Sequence, residues 1–464
     1  MKDSIVRLAS LTISNIKNVQ NGKIIMPHAL HKQLTEKSAE VLGIYGQNGS
    51  GKTAVIDTLY YLQRIMIGEN LDEELFEYMD ANSSQAEINA DFNIFTDSGI
   101  YETSYRILLH KADKGVEIQR ESLSCAKNVD DSRKNKIVFM DYQRTEKEVV
   151  FTPKKRFNEV VECDKENKTD LIVARKIAEK SNCSYIFGES SREIFCRDYD
   201  NNFKDCSEVI KALFIFALKD LFVIRNTHSG VISANFLLPM AFKIEQDEIG
   251  MKGDFAIPLT EPVILDEERK NLLDTIIEQI NTVLYTIIPG LKIEVKDYGM
   301  QMTDSGDDGH KIELVSVRDN IPPIPIRMES EGIIKIISIL NVLIQAFGNA
   351  SICLAIDELD AGIFEYMLGE LLDIFSKSAK GQLIFTSHNL RALEMLNKEC
   401  IMFSTANPAN RYIHMKNVKS SNNLRDVYLR GITLGGQDEI IYEETDSLKI
   451  ARAFRKAGRS IHNE

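Results

Sequence analysis

The sequence predicts an α/β protein built on a mixed sheet, with an antiparallel β subdomain and a large, mostly helical insertion. Three observations lead there. An apolar run, Val41 to Tyr45, enters a glycine-rich turn and leaves it as a pattern of helical period. Two later runs, Ile352 to Ile356 and the "GQLIF" of residues 381–385, are short and nearly all apolar, as strands covered on both faces of a parallel sheet are. In between, "QAEINADFNIF", "YETSYRILLH" and "GVEIQRESL" alternate in the manner of antiparallel strands.

The elements follow in chain order. "VRLASLTISNIKNV" gives an N-terminal strand and turn. In "VLGIYGQNGSGKTAVIDTLYYL" the helical part is marked by Val55, Ile56, Leu59 and Tyr60. Its centre, Gly46, Gln47, Asn48, Gly49, Ser50, Gly51, Lys52, Thr53, is GxxxxGK[ST] between a strand and a helix, the setting in which that pattern has meaning. Gly46 and Gly51 permit tight backbone geometry, so the N–H groups of the loop and the positive end of the helix can surround phosphate oxygens. Lys52 would reach the β- and γ-phosphates and Thr53 would ligate Mg²⁺, which makes ATP and Mg²⁺ the expected cofactors. The alternative is a glycine-rich turn that holds no ligand.

From about residue 128 to residue 202 the composition turns charged ("DDSRKNK", "TPKKRF", "DKENKTD"), and the reading is a linker or insertion. "SEVIKALFIFALKDLFVI" and "LDEERKNLLDTIIEQINTVLYTII" then read as helices, neither holding a heptad over the repeats that a long coiled coil requires. The expected division is 1–127, a lobe with the glycine-rich loop; 128–263, a mostly helical insertion; 264–435, a second lobe; and 436–464, a tail.

The second lobe carries the remaining candidates. "SICLAIDELD" ends its strand in Asp357 and Glu358, and two carboxylates at a strand end are costly without a task. Asp357 would hold Mg²⁺, directly or through water, and Glu358 would polarise a water attacking the γ-phosphate; the plainer reading is a solvated strand end. Thirty positions later "GQLIFTSHNL" ends in Ser387, His388 and Asn389, where His388 can hydrogen-bond a phosphate or the attacking water.

Bulk properties narrow the class. The 464 residues suffice for two or three domains. A formal charge of −13 argues against indiscriminate coating of nucleic acid. Seven cysteines without a CxxC pair read as reduced thiols rather than a disulfide scaffold or a zinc site. No signal core follows Lys2, Asp3 and Arg7, and the most apolar stretch is broken by Lys219 and Asp220, so a soluble cytoplasmic protein with no membrane partner is expected.

The order of glycine-rich loop, acidic strand end and histidine strand end resembles the ABC-type ATPases. "RMESEGIIKIISIL" sharpens the likeness: Ser330-Glu331-Gly332 is similar to the serine-x-glycine core of their signature, at a helix start. The resemblance implies that Ser330 and Gly332 bind the γ-phosphate held by the loop of a second subunit, so that a homodimer or higher even oligomer closes head to tail around two ATP molecules. The 277 positions from Thr53 to Ser330 exceed the layout of a transporter subunit. "LTISNIKNV", "DELDAGIFEYMLGELL", "IFTSHN" and "VYLRGITLGG" resemble the SMC, RecF and OLD-like branch, specifically OLD-like ATPases without a fused nuclease, common in bacterial abortive-infection and anti-phage operons. In that branch Asn15 and Lys17 would approach the nucleotide. The likeness covers about residues 1–120 and 310–435.

Departures accompany it. The signature lacks a double glycine, and no glutamine switch is assigned, Gln85 and Gln119 being weak candidates. Asp360, Ala361 and Gly362 read equally as a segment crossing a dimer and as a plain turn. "MTDSGDDGHKIEL" around His310 reads as a hairpin loop before a nuclease metal site. Two functions follow from the resemblance. One is a regulatory ATPase that gates a separate effector protein such as a nuclease toxin; the alternative is a repair-type ATPase that clamps nucleic acid directly through "SRKNK" and "TPKKRF".

Overall fold

The computed structural model describes residues 4–31, 35, 38–113, 115–129, 132–133, 135–227, 230, 237–246, 249–303, 306–319, 321–416 and 423–460. Two sheets organise them. The first is antiparallel and seven-stranded: Val19–Ile25, Ile5–Ile16, Gln85–Thr96, Gly99–Ala112 and Gly115–Val129 lie side by side, and Ser132–Arg133 and Ile137–Gln143 both pair with the last of these. The second has six strands in the order Tyr412–Ile413, Ile401–Ser404, Glu40–Tyr45, Gln382–Thr386, Cys353–Ile356 and Leu221–Ile224. All neighbours in it are parallel except the first pair.

The helix Lys52–Met66 lies between the sheets, and its residues Ala54, Val55, Ile56, Leu59 and Leu62 share one core with Leu42 and Ile44 from the parallel sheet and Ile88, Ala90 and Phe92 from the antiparallel one. A second core on the other side of the parallel sheet is built from helices Glu267–Ile287, Glu331–Gly348 and Glu365–Ser378. Glu331–Gly348 has the length and hydropathy of a membrane span, but 61% of it is buried within the protein. A buried polar knot fastens the sheets together. Arg7 donates to Glu40 at 2.9 Å and to the carbonyls of Ala350 and Lys380, and Gln382 bonds both Glu40 and the backbone of Leu8.

The segment expected as a mostly helical insertion, 128–263, is joined to both sheets. Its helices Lys154–Cys163, Asn167–Ser181, Glu189–Phe195 and Lys204–Ile215 do lie in sequence, and their buried faces belong to the core of the antiparallel sheet. Ile137–Gln143, however, extends that sheet, and Leu221–Ile224 is the edge of the parallel one. "SEVIKALFIFALKDLFVI" is therefore not one helix. It runs as helix to Ile215, makes a π turn over Phe216–Asp220, and continues as a strand, with Asp220 buried against Lys243 of the hairpin Leu237–Gln246/Ile249–Pro258. The apolar "LFVI", rich in β-branched and aromatic residues, fits a strand buried on both faces better than a helix face. "MTDSGDDGHKIEL" forms the hairpin of Lys292–Met302 and Asp308–Arg318, where His310 bridges Asp297 and Glu267.

Candidate functional site

The parallel strands end together at their carboxyl edge, and that edge gathers the sequence candidates. Glu40–Tyr45 delivers the glycine-rich loop. Gly46 (φ 152°) has no room for a side chain, since a Cβ there would lie 1.9 Å from Ser404 Oγ. Gly51, the N-cap of Lys52–Met66, has φ 88°, in the region that favours glycine. Gly49 (φ 78°) faces open space, and Asn48 is exposed beside it. Ser50 is nearly buried, donates to the Gln47 carbonyl at 2.6 Å and pairs with Ser404.

Lys52 is 6% exposed, and its ammonium donates to the carbonyls of Gly46 and Gln47 at 3.0 and 3.1 Å, so the lysine arches over its own loop. Burial lowers its pKa, while the nearby carboxylates Asp357, Glu358 and Asp360 act to keep it charged.

Cys353–Ile356 delivers the acidic pair beside this loop. Asp357 is 1% exposed; its Oδ1 accepts from Thr53 at 3.3 Å and from Thr386 at 2.6 Å, and its Oδ2 has no hydrogen-bond partner. A buried carboxylate oxygen without a donor, next to a threonine hydroxyl at the start of the loop's helix, fits a hard divalent cation that prefers oxygen ligands. Glu358 has φ 48°, strained for a residue with a side chain. Its backbone is held at both ends: the N–H donates to Thr386 Oγ1 at 2.7 Å, and the carbonyl accepts from the buried ammonium of Lys335. Its carboxylate has no hydrogen bond or ion pair among the described residues.

Gln382–Thr386 delivers His388. The backbone N–H of His388 donates to Asp360 at 3.0 Å, leaving the ring exposed at the mouth of the site. Partial burial and the Lys52 ammonium lower the ring's pKa, against an upward pull from Asp360, Glu358 and Asp357. The neutral imidazole is thereby favoured.

Other candidates lie apart from this cluster. Ser330 and Glu331 begin Glu331–Gly348 on the surface; Ser330 makes no capping bond with its side chain. Gly332 is buried against the turn after the acidic pair, where a Cβ would come 1.8 Å from the Gly362 carbonyl oxygen. The glycine has a packing reason in addition to any binding one. Asn15 and Lys17 both have positive φ. Asn15 donates to the Gln85 carbonyl at 3.0 Å, and Lys17 pairs with Asp57. Gln85 and Gln119 bond each other at 3.1 Å on the antiparallel sheet.

The structure adds residues that the sequence reading passed over. Asn18, next to Lys17, donates to the Gly49 carbonyl. Asp57, one turn beyond Thr53, is 2% exposed and is shared by Lys17 and Arg225, the latter at 2.9 Å. Arg225 leaves the edge strand beside the acidic one and lies over Tyr60, 4.5 Å from the ring centre. Arg411 is buried behind the loop, donating to the carbonyls of Thr405 and Asn18, and burial lowers its pKa. Gln47 exchanges two bonds with the backbone of Glu443, so the tail lies across the loop. Only the helical spacing of Asp57 from Thr53 offered a sequence signal; the rest are long-range meetings.

No protein-family model matches the chain, and no curated protein does. Solved structures similar to it include an SMC head bound to the C-winged helix domain of ScpA, with TM-score 0.41, 11% identity, and coverage of 88% of this chain and 97% of that one. Another is the Smc head with an extended coiled coil bound to the C-terminal domain of ScpA, from Pyrococcus furiosus (TM-score 0.40, 12% identity, 89% and 96% covered). A third is the SMC head from Thermotoga maritima (TM-score 0.37, 11% identity, 88% and 99% covered). The chemistry of the site therefore rests on its own geometry.

Proposed function

We propose that the protein binds ATP with Mg²⁺ at the glycine-rich loop and hydrolyses it. The observation that carries this reading is the convergence of Lys52, Thr53, Asp357 and Glu358 at one edge of a parallel sheet, with an unpartnered Asp357 oxygen beside the Thr53 hydroxyl. A bound Mg²⁺ would screen the charge of the phosphates. Thr53 and Asp357 would hold it; the loop N–H groups and Lys52 would hold the phosphates by charge-assisted bonds. Glu358, fixed by Lys335 and Thr386, would orient and polarise the attacking water, and His388 would donate to or accept from the same water or the γ-phosphate. Asn18 shapes the loop from behind.

The exposed Ser330 and the loop of a second copy would complete each site, so that ATP binding would close two copies head to tail. The use we propose for that closure is to grip or release a separate effector, with a nuclease toxin of a defence operon as the kind of partner. The competing reading, direct clamping of nucleic acid, draws on the basic run at Thr152–Phe157 only through the exposed Lys154 and Lys155. Arg156 there is taken by Glu159 at 2.9 Å and by the Asn202 carbonyl. In "SRKNK", residues 132–136, Lys134 lies outside the described residues, and Lys136 is taken by Ser104 at 2.7 Å and Asp91 at 3.5 Å.

The test is ATP turnover by the purified chain, wild type against Glu358→Gln and Lys52→Ala, followed by capture of the neighbouring gene product with and without ATP. Loss of turnover in both variants, with ATP binding kept in Glu358→Gln, supports the reading. Turnover in Lys52→Ala, or cleavage of nucleic acid by the isolated chain, would overturn it.

A further inference from the structure

The C-terminal helix Ser447–Ser460 and an apolar groove elsewhere in the chain both present large apolar side chains to solvent. The helix segment holds Lys449, Arg452, Arg455, Lys456 and Arg459 and no acidic residue, in a chain whose formal charge is −13. At about 100° per residue, Lys449, Arg452, Arg455 and Lys456 fall on one face, and Ile450, Ala453, Phe454 and Ala457 on the other. On the apolar face Phe454 is 75% exposed and Ile450 44%. A solitary helix of this length is marginal in water and takes most of its stability from packing. Something is therefore expected to cover it.

The groove is a cavity of about 340 Å³ between helices Glu267–Ile287, Glu331–Gly348 and Glu365–Ser378. Its walls include Val283, Ile336, Leu343, Phe347, Leu371 and Ile374, and Phe347 and Ile374 remain 41% and 53% exposed. It spans Ile336 to Phe347, roughly 16 Å along one wall, against roughly 21 Å for the tail helix, at about 1.5 Å per residue. On a second wall the exposed Glu370 carries the charge opposite to the helix's basic face, while Asp373 is already paired with Lys377 at 2.7 Å.

We propose that the tail helix of one copy docks into this groove on a second copy, with Phe454 and Ile450 as anchors and the basic face toward the acidic body. The tail leaves its own chain from a fixed point. Glu439 is bonded by Asn407 and Asn410, the Ile440 carbonyl by Ala406, and Glu443 by Gln47, so only residues 444–446 remain to redirect the helix. This association needs no nucleotide and stands independently of the ATPase reading.

The test is light scattering on the full chain without nucleotide, over a range of concentrations. A dimer whose dissociation constant rises about 30-fold in Phe454→Glu and in Ile374→Glu is expected, the scale one buried ring or branched side chain supports. Both positions are exposed in the single chain, and circular dichroism checks that each variant folds. As a second readout, Phe454→Cys protein and Ile374→Cys protein of distinguishable mass are mixed and oxidised. A mixed covalent dimer, absent when either variant is oxidised alone, supports the proposal. A monomer at every concentration, self-association indifferent to Phe454→Glu, or a crosslink within one chain of the double variant would overturn it. So would a monomeric protein whose tail binds duplex DNA or anionic vesicles.

Discussion

Lys335→Met separates the geometry of Glu358 from its chemistry. Lys335 projects from the second turn of Glu331–Gly348, is 4% exposed, and donates to the Glu358 carbonyl, so it pins the one peptide whose left-handed conformation aims the carboxylate. A hydrogen bond from a charged donor contributes about 1.5–3 kcal/mol. If that energy maintains the working position of Glu358, its loss lowers kcat by roughly 10- to 150-fold. The assay is steady-state ATP hydrolysis with ATP affinity measured separately, because Lys335 touches the acidic turn and not the loop. Lys335→Arg, whose planar fork does not reproduce a point ammonium, should restore little. A kcat equal to wild type would refute the reasoning. So would a fall in ATP affinity as large as the fall in kcat, which would make Lys335 a general structural support.

Further outcomes are expected. In heterodimers of Lys52→Ala with Ser330→Arg subunits, one site is intact and the other doubly broken, so mixing should recover part of the ATPase activity that each variant lacks alone; no recovery would count against a composite site. Arg7→Met should cost about 3–5 kcal/mol in urea unfolding at pH 7, because it removes the buried guanidinium facing Glu40 and leaves that carboxylate only the bonds from Gln382 and His28. In the wild type, burial raises the Glu40 pKa, but the bond from His28 and the Arg7 charge outweigh it and the net shift is downward. Stability from Glu40 is then full above its unfolded value near 4.5 and is lost as the pH falls through the lower folded pKa; a stability that rises over that interval would contradict the pairing. Gln47→Ala removes two bonds to Glu443 and should speed hydrogen exchange over 437–446 several-fold without unfolding the core, at about 0.5–1.5 kcal/mol per bond.

The sequence was legible where chemistry is local. The strand, turn and helix around Lys52 lie within one short stretch, and Asp357 and His388 each follow an apolar run whose burial their strand confirms. What escaped was whatever depends on chain segments meeting from afar. Leu221–Ile224 hides in a longer apolar run because a short buried strand and a buried helix end share composition, and only its pairing with Cys353–Ile356 separates them. Asp57, Arg225 and Lys335 look like ordinary surface charges in a linear reading. Their roles arise from burial: Asp57 needs Lys17 from 40 positions before and Arg225 from 168 positions after. The charged composition of residues 128–202 marks the solvated faces of helices whose other faces are core, which is why it read as a linker.

The claim that two copies close around ATP is tested most directly by the mass of one protein with and without nucleotide. The protein carries Glu358→Gln, to slow turnover, and Phe454→Glu, to silence the tail contact. Light scattering on it should give a monomer alone and a dimer with saturating ATP and Mg²⁺, and the dimer should vanish when Lys52→Ala or Ser330→Arg is added. A monomer under saturating ATP and Mg²⁺, with ATP binding confirmed in the same sample, would contradict the account.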